Sequence, residues 1–231
     1  MGAALGWGSL SAFSLVLGAL LAIARRWPEK VVGLVLAFGA GALISAVSFE
    51  LAEEGAQQGA PGWTAVGLGV GAVTYYSLDG LVDRMGSSSA GGPLALGAFL
   101  DGIPEQSVLG IGLAGGAGVS VGLLVAIFVS NLPEAIGSAS EMRAAGRSDG
   151  TILRLWIAVA VVCMLATVIG YAVADAVSNH LKGAIDGFAA GALLVMLVDS
   201  MIPDATRESG RTAGLVTTLG FAVAAGLSAI S

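Results

Sequence analysis

Charge is scarce in this chain. Asp, Glu, Lys and Arg make up 11% of its 231 residues, where soluble domains carry about 25%. So few charges cannot cover a water-facing surface, and the bilayer is the expected solvent for most of the chain. Cysteine is nearly missing: Cys163 stands alone, which excludes an intrachain disulfide and leaves the redox compartment open. Histidine is down to one residue, His180. HExxH, GxSxG and paired metal-ligating histidines are absent, so no enzyme is expected. No basic patch offsets the net charge of −6, which argues against a nucleic-acid partner. No positive charge precedes the apolar run Ala3–Ala24. A signal peptide needs one, so the run is expected to be a retained first spanning helix. No joint between apolar stretches is long enough to fold separately, and 1–231 is expected to be a single transmembrane domain.

What the chain does have is apolar and small. It is 56% hydrophobic with 36 glycines, and its mean hydropathy is +0.89. Glycine in quantity suits membrane helices that approach each other closely. A spanning helix needs roughly 20 apolar residues. Eight such stretches can be drawn, at about 4–24, 31–53, 62–82, 93–114, 117–141, 151–176, 183–204 and 211–230. Odd-numbered joints hold Arg25, Arg26, Lys30, Arg84, Arg143, Arg147, Arg154, Arg207 and Arg211, and even-numbered joints hold only Lys182. Nine of ten basic residues on one side predicts cytoplasmic odd joints and outside termini, in the cell membrane. Trp7, Trp27, Trp63 and Trp156 fall near expected helix ends, where interface aromatics belong.

The sequence repeats itself weakly. Phe38-Gly-Ala-Gly-Ala-Leu-Ile in the second stretch returns 150 residues later as Phe188-Ala-Ala-Gly-Ala-Leu-Leu in the seventh. Gly102-Ile-Pro-Glu105 in the fourth echoes Asn131-Leu-Pro-Glu134 in the fifth. In the topology above both pairs run in opposite directions. Inverted repeats flanking a central pair are a transporter signature, with the site near the midplane. The expected fold is all-α and polytopic, with eight transmembrane helices in a 3+2+3 inverted repeat.

The central pair carries the chemistry. Asp101 and Glu105 lie near the middle of the fourth stretch and Glu134 near the middle of the fifth. Each such charge costs roughly 2.5–3.5 kcal/mol on insertion scales. No Lys or Arg is expected at that depth, which leaves protons, water or a bound cation as compensation. Asp101 and Glu105 are four apart, and Asn131 and Glu134 three apart, so each pair shares a helix face. Pro104 and Pro133 free the carbonyls of Leu100 and Val129, and such broken backbone is tolerated only beside protein or a wet cavity.

With those segments the chain resembles the ZIP family of divalent-metal transporters, which have eight helices, outside termini and a His-Asn-x-Pro-Glu-Gly type motif on the fourth and fifth. The matching runs are Asp101-Gly-Ile-Pro-Glu-Gln106 and Ser130-Asn-Leu-Pro-Glu-Ala135. The resemblance covers essentially the whole chain. It implies a carrier of the elevator kind that moves metal toward the cytoplasm, often as a dimer. It puts metal ligands at Glu105 and Glu134, with Asp101 in place of a histidine and Asn131 on the motif's asparagine. Ser130 stands where the second histidine would be. Gln106 takes the glycine position, and Thr167 lies about where many relatives carry a glutamate.

The expected ligands are therefore Asp101, Glu105, Asn131 and Glu134, with Ser130, Gln106, Glu50 and Asp199 as further candidates. Glu50 and Asp199 lie where an access route could pass. An all-oxygen set suits Mn²⁺, Mg²⁺ or Ca²⁺ better than nitrogen-loving zinc, so a broader or harder-metal preference is expected. No prosthetic group is expected; the metal is the cargo. The alternative reading is a carrier of the same fold that has lost metal binding and moves protons or another small solute. His180 is expected to be a solvated loop residue.

Overall fold

The computed structural model of the chain describes residues 1–85, 92–114 and 121–229. Those residues are helical with short joints. The helices are α1 (Gly2–Ala24), α2 (Glu29–Ser45), α3 (Glu54–Gly59), α4 (Pro61–Met85), α5 (Gly92–Ala114), α6 (Val121–Ala144), α7 (Asp149–Val173), α8 (Asn179–Met196), α9 (Ile202–Ser209) and α10 (Thr212–Ser228). A π-helical segment, Ala46–Glu53, joins α2 to α3, and a second, Leu197–Met201, joins α8 to α9. A helix therefore stands at each of the eight expected stretches, the second and seventh as composite helices longer than the sequence suggested. The fifth was expected to begin at 117, and residues 115–120 lie outside the described residues. Among the described residues, five helices are long and apolar enough to cross a membrane by length and composition alone: Gly2–Ala24, Glu29–Gln57, Val121–Ala144, Asp149–Val173 and Asn179–Ser209. Helix α10 is apolar but only 17 residues long, near the lower limit for a span. The chain is an all-α polytopic membrane protein.

Helix ends are closed by specific groups, as a bilayer demands. Trp27 Nε1 donates to Leu21 O at 3.0 Å, and Arg143 Nη1 donates to Ile23 O at 3.0 Å. The Leu21 carbonyl also accepts from Arg25 N, so Trp27 adds a second donor there, while Arg143 serves a carbonyl of the last turn. Gly146 (φ 81°) and Gly210 (φ 64°) turn the chain left-handed after α6 and α9. Ser148 caps α7 by accepting from Thr151 N at 3.3 Å, with Asp149 in the first turn. Ser148→Ala should cost about 1 kcal/mol, read as a fall of roughly 2–4 °C in the unfolding midpoint. Trp156 departs from expectation: it is 2% exposed, inside the cluster formed by α1, α6 and α7, because it lies on the buried face of α7 with Ile152, Val159 and Cys163.

The helix pairing repeats with the sequence. Helix α2 packs on α10 as α8 packs on α4, and α1 packs on α6 as α7 packs on α5. A Cβ on Gly41 would collide with the Thr217 carbonyl of α10, and one on Gly191 with the Leu68 carbonyl of α4. Reciprocally, Gly220 sits on the Phe38 carbonyl and Gly71 on the Phe188 carbonyl. Phe38 and Gly41 become Phe188 and Gly191 by the same step of 150 residues, and that step also carries the first π-helical segment over the second. The repeat is thus visible in packing as well as in letters.

Candidate functional site

Helices α5 and α6 carry the two Pro-Glu segments, and both stay helical through Pro104 and Pro133. They touch each other, but each packs mainly elsewhere, α5 on α7 and α6 on α1 and α2. Glu105 is 1% exposed, Ser130 1% and Asn131 2%, and Glu134 is half-buried. Asp101 lies on α5 one turn before Glu105, but its side chain is outside the described residues.

Glycine brings α2 onto this part of α6. A Cβ on Gly39 would lie 3.0 Å from Ser130 Cα and 3.2 Å from Ser130 N, with Met201 Cε 3.0 Å away. The Ser130–Asn131 backbone is therefore sealed by α2 and by Met201 from the second π-helical segment. Ser130 Oγ donates to Ile127 O at 3.1 Å, which leaves its lone pairs open. Asn131 Nδ2 has no hydrogen-bond partner among the described residues.

Gln106 is engaged elsewhere. Its Nε2 donates to Ser11 Oγ at 2.9 Å, and its Oε1 accepts from Thr167 Oγ1 at 2.6 Å. All three side chains are fully buried. On α1, Ser11 meets α5, whereas Gly18 meets Leu132 and Ala135 of α6. Those contacts are seven residues apart, about 10 Å along the helix, so α5 and α6 touch α1 at different heights.

The two further candidates stand one on each π-helical segment. Glu50, in the first π-helical segment, accepts from Ser228 Oγ at the end of α10, and Gly122 at the start of α6 leaves room for that pair. Gly122 is twelve residues, about 18 Å, before Glu134 on α6. Asp199 is exposed and borders a shallow groove between α4 and α8, with Tyr76 and Val198. Among the described residues, no three His, Cys, Asp or Glu side chains gather around one point. His180 begins α8 instead of lying in a free loop. Its Nδ1 is 2.8 Å from Gly59 O and its ring stacks on Trp63, tying α3, α4 and α8 together.

Sequence reasoning missed Met201 and the partnership of Gln106 with Ser11 and Thr167. Thr167 had stood out only as a departure from a motif, and nothing in the sequence marked Met201.

No family model matches the chain. It is 30% identical over 189 residues to a curated protein of Arabidopsis thaliana named "Putative zinc transporter". The alignment takes in 77% of this chain and 30% of that protein, so the chain spans under a third of the relative's length. The match supports the resemblance to the ZIP transporters that the two Pro-Glu segments carry.

Proposed function

We propose that the chain is a ZIP-type carrier that moves divalent metal cations toward the cytoplasm through an oxygen-donor site on α5 and α6. The observation that carries this is the pair of mid-helix Pro-Glu segments, with Glu105 and Asn131 buried and Glu134 half-buried. A bare carboxylate is costly there, and a dication that two carboxylates share removes that cost. The ligand set is Asp101, Glu105, Asn131 and Glu134, with Ser130 beside them. With a cation bound, the Asn131 carbonyl faces the ion, and its Nδ2, which has no partner among the described residues, supplies a donor for a carboxylate oxygen of the site. Glu50 and Asp199, one in each π-helical segment, are stations on the routes to and from the site. The basic joints place the odd loops in the cytoplasm, and the carrier works in the cell membrane as a homodimer.

Radiolabelled uptake into proteoliposomes across Zn²⁺, Mn²⁺, Fe²⁺, Cd²⁺ and Mg²⁺ tests this reading. Mn²⁺ is expected to be carried at least as well as Zn²⁺ and to compete with it, because every donor is oxygen. Zinc uptake that Mn²⁺ does not inhibit would sink the harder-metal preference. Uptake of none of the five, with a proton flux in their place, would favour the carrier that has lost metal binding.

A further inference from the structure

We infer that Gln106 is the positioning residue for Glu105: its amide bolts the part of α5 beyond Pro104 to α1 and α7, and so sets how tightly Glu105 holds its cation. This rests on the reading of Glu105 as a ligand and adds a residue that touches no metal.

The chain Ser11–Gln106–Thr167 crosses three helices through a region with no exposed atom of any of the three side chains. Both partners are hydroxyls, which donate or accept, so the chain survives a flip of the amide. All three side chains are shut off from the surface, and a broken bond would leave a buried polar group unsatisfied. The tie is therefore hard to release. Ser14 Oγ in turn donates to Ser11 O at 2.7 Å, and Gly8 leaves the space against α1 that Thr167 fills.

The backbones leave Gln106 no slack. A Cβ on Gly102 would lie 2.5 Å from Cys163 Sγ, and one on Gly110 would collide with the Thr167 carbonyl. One on Gly170 would collide with the Ser107 carbonyl. Helices α5 and α7 thus run in close contact on both sides of Gln106. Pro104 removes one rung of the helix ladder just before Glu105, and Gln106, two residues after the proline, is tied to two other helices. Glu105 lies between a loosened rung and a fixed one. Its aim at an ion then depends on the fixed one, as the aim of a ligating side chain depends on the groups that hold its support.

The test separates the amide from its partners. Gln106→Leu removes both bonds. Ser11→Ala with Thr167→Val removes both as well but leaves the amide in place. The readout is the concentration dependence of radiolabelled Mn²⁺ and Zn²⁺ uptake in proteoliposomes, normalised to folded protein. Both variants are expected to raise KM roughly tenfold while maximal rate per folded carrier stays within about twofold. An unchanged KM with a lower folded yield would make the chain merely structural and overturn the inference. A raised KM in Gln106→Leu alone would make the amide itself a ligand and overturn it too. If the wild type carries no metal, the reading of Glu105 falls, and hydrogen exchange decides the positioning claim. Faster exchange at 105–109 in Gln106→Leu would uphold the tie, and unchanged exchange would refute it.

Discussion

Glu134→Gln is expected to lower metal uptake, as Vmax/KM, by roughly 100-fold or more, since losing even a supporting partner of a ligand costs 10–100-fold. The substitution keeps the shape of the side chain and removes its charge. An amide oxygen can still touch a cation, but it cannot neutralise one that has left water, and desolvation strengthens that need. A 100-fold loss corresponds to about 2.7 kcal/mol. Glu105→Gln should behave alike, because Glu105 is the more deeply buried of the two. The apoprotein gives a second, opposite sign. Removing a buried or half-buried carboxylate relieves a desolvation cost, so the metal-free unfolding midpoint of either variant should equal or exceed that of the wild type. Its rise on adding Mn²⁺ should vanish. A Glu134→Gln carrier whose Vmax/KM stays within threefold of wild type would remove Glu134 from the site.

The two glutamates stand out in the sequence because a charge and a proline are both costly in the middle of an apolar helix, and such costs show in the letters. The eight helices were legible for the same reason: apolar runs leave the backbone only one way to satisfy itself in lipid. What could not be read was lateral. Gln106 and Asn131 are both amides next to a Pro-Glu segment, and nothing in their neighbours in sequence says that one ties three helices while the other keeps an open donor. That difference depends on which residues of α1 and α7 face α5. Glu50 and Asp199 show the same limit. Their distance from Glu134 and Glu105 along the chain does not tell that Ser228 holds one and that the other faces a groove. The π-helical turns were also hidden, because one extra residue in a turn leaves apolar composition unchanged. Each turn changes the helix face presented beyond it, and the last residue of the second, Met201, meets Gly39.

The inverted repeat makes a prediction that no single helix would. Gly41 and Gly191 occupy equivalent places, 150 residues apart, and each meets a carbonyl of its partner helix, that of Thr217 or Leu68. Lipid gives apolar side chains no reason to leave it, so these crossings are held by packing at close range, Cα–H···O contacts included. A methyl group at either glycine meets backbone, which cannot swing aside as a side-chain tip can. Gly41→Ala and Gly191→Ala should therefore each cost about 3 kcal/mol, near the top of the usual range for overpacking. That is a fall of roughly 6–12 °C in unfolding midpoint. Gly69 is the control. It lies on α4 two residues from Gly71, with nothing within 4 Å of a Cβ built on it, so Gly69→Ala should leave the midpoint level or raise it through better helix propensity. Equal losses at Gly41 and Gly191 with none at Gly69 are what two copies of one crossing require. A large loss at one and tolerance at the other would mean that the likeness of α2 to α8 is confined to sequence and does not extend to how the bundle is held.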